Sequence, residues 1–192
     1  MPTPSPETLE FMLTRRSRPA KTLIAPSPNR AELKQILTAA ARTPDHGKLE
    51  PWRFMVIEKA AMLRLAEIAE KRGVALGLDP EQIIKGRAQF DQGLLAVAVI
   101  EVQKFSVKIP AIEQTYSTGA VCLALLNAAL AAGWGANWLS GWPSHDRDFM
   151  IQALNLTDNE RIAGFIHIAT EKSIPSERPR PDLKAITQWV EK

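Results

Sequence analysis

The sequence predicts a mixed domain, α+β or three-layer α/β, on three observations. Segments with apolar residues at helical spacing are interleaved with short apolar, β-branched runs, about four of which read as strands. The chain has 192 residues, the size of one domain, so a single domain over 1–192 is expected. Hydrophobic residues make up 45% and charged residues 23%, the balance of a chain that folds around a core.

In order, Pro4 to Thr14 reads as a helix, with Leu9, Met12 and Leu13 at helical spacing. Pro19 pushes Arg18 out of the α region, so an extended segment follows. A second helix starts at Asn29, an N-cap with Glu32 three residues on as in a capping box. Its apolar face is Leu33, Ile36, Leu37 and Ala40, and Pro44 stops it near Arg42. Trp52–Ile57 reads as a strand and Ala60–Arg72 as a helix, followed by a loop around Gly73, Gly77 and Pro80 and a short helix over Glu81–Gln89. Leu94–Glu101 is a continuous Val-rich run, the pattern of a strand buried on both faces. Ile112–Ala132 is apolar nearly all round and predicts a long central or interface helix, ended by Gly133 at C′. Asn137–Ser140 reads as a strand, Asp146–Leu154 as a helix and Arg161–Thr170 as a strand. The tail from Ser173 is rich in Pro and Arg and closes on Ile186–Val190, a segment suited to docking.

Charge and cysteine content exclude several classes. The 24 Lys+Arg against 21 Asp+Glu leave only +3, scattered along the chain, which asks for neither nucleic acid nor a membrane surface. One cysteine excludes an internal disulfide framework and fits a reducing compartment. The start, Met1-Pro2-Thr3-Pro4-Ser5-Pro6, is not a secretory signal, and the longest apolar runs fall short of the ~20 residues of a membrane span, so a cytoplasmic protein is expected.

No motif for a metal, a P-loop or a G-x-S-x-G nucleophile is present. Cys122, inside an apolar helix, reads as an inert buried thiol. Three runs could carry chemistry. Arg15-Arg16-Ser17 combines two phosphate-matching forks with a hydroxyl, or else complements a helix C-terminus. Arg42 to Trp52 places several charged side chains and His46 in a Pro-bracketed loop, a site or a solvated turn. Trp134, Trp138 and Trp142, with Asn137 and Ser140 between them, could line a flat ligand or anchor a core.

Taken in order, these runs resemble the nitroreductase family of flavoproteins, and within it the short NAD(P)H nitroreductases. The matching segments are Arg15-Arg16-Ser17, then Thr43-Pro44-Asp45-His46 with Pro51-Trp52, then Gly133-Trp134-Gly135-Ala136-Asn137-Trp138-Leu139-Ser140, with Ile162–Thr170 as the last core strand. The resemblance implies a three-layer α/β/α domain whose central, mainly antiparallel sheet is flanked by helices. It also implies an intertwined homodimer with FMN at the interface, reduced by NAD(P)H in a ping-pong reaction with a nitroaromatic, quinone or other electron-poor acceptor. Arg15 and Ser17 would then hold the FMN phosphate, and Arg16 would reach the ribityl chain or pyrimidine. Arg42 and His46 would approach from the partner, and Trp138, Leu139 and Ser140 would line the ring or its phosphate end. Ala128, Ala129, Leu130, Ala131, Ala132 and Gly133 fall where the nicotinamide cofactor is placed, and Arg178 or Arg180 could complete the phosphate site. No protein nucleophile is implied, because the flavin carries the chemistry. Pro19 replaces a basic residue common in the family, and Lys48 and Glu50 stand where larger members have Asn and Gln. Those departures change the polarity around the flavin ring and with it the redox potential. A flavin-binding protein without turnover, or another flavin chemistry such as dehydrogenation, dehalogenation or flavin breakdown, stays open beside the main reading.

Overall fold

The computed structural model describes residues 3–191; Met1, Pro2 and Lys192 lie outside the described residues. The elements run α1 (Pro6–Thr14), β1 (Leu23–Ile24), α2 (Arg30–Ala40), β2 (Trp52–Glu58), α3 (Lys59–Ala75), α4 (Pro80–Asp91), β3 (Leu95–Val102), α5 (Ala111–Ala131), β4 (Gly135–Leu139), α6 (Arg147–Leu154), β5 (Glu160–Glu171) and α7 (Leu183–Ile186).

Local chemistry accounts for several boundaries. The Asn29 side chain accepts from the N–H of Ala31 and Glu32, and Glu32 reaches back to the Asn29 N–H at 2.8 Å, so the expected capping box closes. Gly133 takes φ +86 after α5, where a side chain would strain the backbone. The Trp134 N–H then bonds Ala129 O and the Gly133 N–H bonds Leu130 O, which closes a Schellman motif. Asp146 caps α6 by accepting from Phe149 N–H at 2.7 Å, and Arg72 of α3 grips the same carboxylate at 2.9 and 3.0 Å.

The sheet has five strands rather than about four, and every pairing is antiparallel. β5 is its hub, flanked by β3 and β4 along its length and by the added strand β1 at its end. β1 escapes sequence reading because two residues carry no periodicity. α3 runs through Gly73 to Ala75, where a loop is expected, because Gly73 packs buried against Ile83 and Trp142 and needs no special conformation there.

Alternation along β3 makes the three layers. Ala96, Ala98 and Ile100 face α3, α4 and α6, whereas Leu95, Val97 and Val99 face α2 and α5. Phe90 of α4 sits between Phe149 and Phe165, stacked on one at 5.5 Å and edge-on to the other at 5.2 Å. α5 therefore lies centrally on one face, as its composition demands. α1 differs from expectation: it starts at Pro6 and buries none of its residues, leaving Leu9, Met12 and Leu13 exposed. The closing segment is likewise uncovered, with Trp189 85% exposed. No helix among the described residues is long and apolar enough to cross a membrane.

Candidate active site

The extended segment after α1 runs beside β4. The Arg18 N–H donates to Ala136 O at 2.8 Å, and Asn137 Nδ2 donates to Arg18 O at 3.0 Å. This pairing delivers Arg15, Arg16 and Arg18 to the C-terminal end of α5, where they line a cavity of about 310 Å³ with Leu130, Gly133 and Trp134. Arg15 donates to Ser17 Oγ at 3.1 Å, so two members of the sequence motif touch. Arg18 is ion-paired with Glu171. Arg16 donates to Ser176 O at 2.8 Å, which ties the tail to this site, and Arg180 is held near it through Glu177.

The cluster has more positive charge than its carboxylates answer. Burial, and then the neighbouring guanidiniums of Arg180, Arg16 and Arg18, hold the Arg15 pKa below the ordinary arginine value. The Nε atoms of Arg15 and Arg16 are shielded from solvent and have no hydrogen-bond partner among the described residues. Buried unmatched donors of this kind call for an acceptor, and a phosphate answers both the charge and the geometry. Arg178 makes only a backbone bond to Glu177, so of the two tail arginines Arg180 is the one close enough to be felt by Arg15.

Alternation splits the third run. Trp138 lies on the α5 side of β4, against Gly164 of β5. Leu139 and Asn137 point to the other side and line a cleft of about 320 Å³ with Pro19, Lys21, Gln89 and Gly93. Ser140 is exposed just beyond the strand end. The stretch at the end of α5 divides as well. Ala128, Ala131 and Ala132 line a groove of about 430 Å³ with Glu32, Ile36 and Trp134, Leu130 and Gly133 border the arginine cavity, and Ala129 is fully buried in the core.

His46 is elsewhere, and Arg42 lies just past α2, at the start of the same loop. His46 lies within 2.6 Å of Glu113 in the first turn of α5, the end opposite the arginines. From Glu113 to Leu130 a helix rises roughly 25 Å at 1.5 Å per residue. The loop bearing His46 is pinned to α5: Ser117 Oγ donates to Pro44 O at 2.9 Å, and Trp52 Nε1 donates to Ser117 Oγ at 3.3 Å. It is also strained, since Gly47, Lys48 and Glu50 all have positive φ, at 72, 54 and 47. The other histidines do not join it. His145 is exposed, and His167 is buried on β5, where desolvation lowers its pKa to about 4.

Sequence reasoning missed Glu113, Glu171 and Gln89, which enter these sites only through the fold. Lone acidic or amide residues on helices and strand ends carry no local signal.

The layers and the arginine cavity define an α/β/α protein with a cationic pocket at the end of its central helix. The chain belongs to the nitroreductase family, whose model matches residues 13–170. It is 32% identical over 181 residues to “Putative NAD(P)H nitroreductase YdjA” of Escherichia coli strain K12, covering 94% of this chain and 92% of that one. Among solved structures, a nitroreductase-like family protein from Bacillus cereus superposes with a TM-score of 0.78 at 21% identity, over 100% of both chains. An FMN-dependent nitroreductase from Clostridium difficile R20291 superposes with a TM-score of 0.69 at 16% identity, over 94% of this chain and 98% of that one.

Proposed function

We propose that this oxidoreductase binds FMN between two copies of the chain and uses NAD(P)H to reduce an electron-poor acceptor, a nitroaromatic or a quinone. The observation that carries the reading is the arginine cavity: two buried guanidinium Nε atoms without a hydrogen-bond partner among the described residues, beside Ser17 and Arg180. Arg15 and Ser17 would take the phosphate, Arg16 the adjoining ribityl chain, and Leu139 and Ser140 the ring, reached along the segment Arg18–Lys21 that runs beside β4.

The homodimer is supported by distance. One chain separates His46 from Arg15, Arg16 and Ser17 by most of the length of α5, so one flavin cannot touch both in the same chain. A two-fold partner with an antiparallel α5 would bring His46 and Arg42 of one copy to the arginines of the other, as an isologous interface does. Exposed apolar side chains suit that contact: Leu9, Met12 and Leu13 on α1, Ile112 and Tyr116 on α5, Ile186 and Trp189 in the tail. Each would lose surface that a lone chain leaves in water.

When bound, FMN would supply the redox chemistry, hydride acceptance from NAD(P)H and two-electron donation to the acceptor. The chain binds and positions: arginines fix the phosphate end, β4 and the residues after it support the ring, and the α2–α5 groove at Ala128, Ala131 and Ala132 offers room for part of the nicotinamide cofactor. Cationic side chains stabilise negative charge gained on reduction, and Arg16 of one copy and Lys48 of the other would take that role.

The test is an absorption spectrum of the purified protein, followed by NAD(P)H oxidation with and without a nitroaromatic or quinone. Yellow protein that releases FMN at about one per chain and turns over supports the reading. Colourless protein that takes up no FMN overturns it, and flavin without turnover reduces it to a flavin-binding protein.

A further inference from the structure

His46 is the only histidine paired with a carboxylate among the described residues, and the partner is remote in sequence. Its Nδ1 lies 2.6 Å from Glu113 Oε2, across 67 residues. A carboxylate at Nδ1 keeps the proton on that nitrogen in the neutral ring and leaves Nε2 to exchange protons with whatever faces it. Nε2 has no protein partner among the described residues, and the His46 side chain is 64% exposed, toward the face that the dimer reading places over the partner's flavin.

The surroundings hold this pair in place. The positive φ values of Gly47, Lys48 and Glu50 bend the loop back on itself, and Asp45 locks the bend by accepting from Glu50 N–H at 2.6 Å. Ile109, just before α5, packs against Gly47 so closely that a Cβ there would meet it at 2.3 Å. Strain kept at one loop, and pinned from three sides, is characteristic of a side chain whose orientation matters. The charged groups on the elements around His46 are Arg42, Asp45, Lys48 and Glu50 on its own side, Lys108 beside Ile109, and Glu113 on α5.

We propose that His46 is the proton donor to the acceptor, and that Glu113 is the positioning residue that fixes its tautomer. This rests on the dimeric flavin site proposed above. Reduction of a quinone to a hydroquinone takes two electrons and two protons. The hydride brought by NAD(P)H accounts for both electrons and one proton. The second proton comes from the His46 imidazolium: its Nε2–H bond breaks as an O–H bond forms on the quinone, and the neutral ring is reprotonated from water. Glu113 holds Nδ1–H throughout.

Two measurements test it on the full chain. Imidazole NMR of the wild type and of Glu113→Gln reads the tautomer without any turnover. With three histidines in the chain, a His46→Gln sample assigns the signal. The Nδ1–H form is expected in the wild type, giving way to the common Nε2–H form in Glu113→Gln. Stopped-flow reoxidation of the reduced holoenzyme by a water-soluble 1,4-benzoquinone reads the proton step. The wild-type rate is expected to fall as the pH rises, because the step consumes a proton. His46→Gln is expected to lose that pH dependence and to slow by about 100-fold at low pH, the lower end for a positioned proton donor, with reduction by NAD(P)H less affected. The same tautomer in both proteins refutes the role of Glu113. An unchanged pH profile in FMN-loaded His46→Gln refutes the proton donor while leaving the flavin site standing. A wild type that takes up no FMN overturns both.

Discussion

Replacing Arg15 with alanine separates binding from folding. Its guanidinium is partly buried, donates only to Ser17 among the described residues, and sits in the field of three other arginines. Losing one charge-assisted hydrogen bond to a phosphate costs about 1.5–3 kcal/mol. That is roughly a 10- to 150-fold rise in the Kd for FMN. The unliganded protein should not suffer in the same way. An arginine whose pKa is lowered by burial and like charges opposes folding at every pH where it is charged, so its removal leaves the melting temperature unchanged or slightly raised. The assay is quenching of flavin fluorescence on titration into the unliganded protein, with thermal melts of both proteins alongside. Arg15→Lys, which keeps the charge and loses the fork, should fall between wild type and Arg15→Ala. An unchanged Kd in Arg15→Ala refutes the phosphate assignment. A fall in melting temperature without FMN would mean that the cluster supports the fold rather than binding an anion.

Other outcomes follow from the buried groups. His167 gains its proton near 6.5 when unfolded but only near about 4 when folded, so stability should fall as the pH drops through that interval, and His167→Leu should flatten the fall in denaturant titrations. Glu160, held down to about 2 chiefly by its two bonds from Arg53 at 2.6 and 3.1 Å, adds stability above 4.5 that is lost between 4.5 and about 2; Glu160→Gln should remove that limb. Burial pushes the Cys122 thiol up to about 12, so a disulfide reagent should leave the folded protein unlabelled at neutral pH and react once denaturant is added. Gly164→Ala would put a Cβ 2.0 Å from Trp138 Nε1, and should cost about 1–3 kcal/mol while shifting tryptophan emission.

Much of the fold is local and was open to reading. Asn29 with Glu32, Gly133 after an apolar helix, and the Val-rich run at 94–101 act through neighbours a few residues away, so their signals survive without a structure. Trp138, Leu139 and Ser140 show the limit. They are adjacent in the chain and invite a common role, yet a strand's period of two sends Trp138 to the α5 layer and Leu139 to the cleft at Gln89. The α1 pattern misleads for a related reason: Leu9, Met12 and Leu13 share a face, but helical spacing does not say whether the surface that covers a face belongs to the same chain.

By itself, then, the sequence determined the class of fold, most element boundaries and a set of residues whose chemistry suits an anion. Their arrangement was decided elsewhere. Arg15 meets Arg180, and His46 meets Glu113, across separations that no local rule spans. α5 is a rigid rod of 21 residues, and it fixes the arginines at one end and the imidazole at the other. Only packing against that rod sets the distance between the arginines and the imidazole, and that distance is the physical reason the proposed flavin site needs a second copy of the chain.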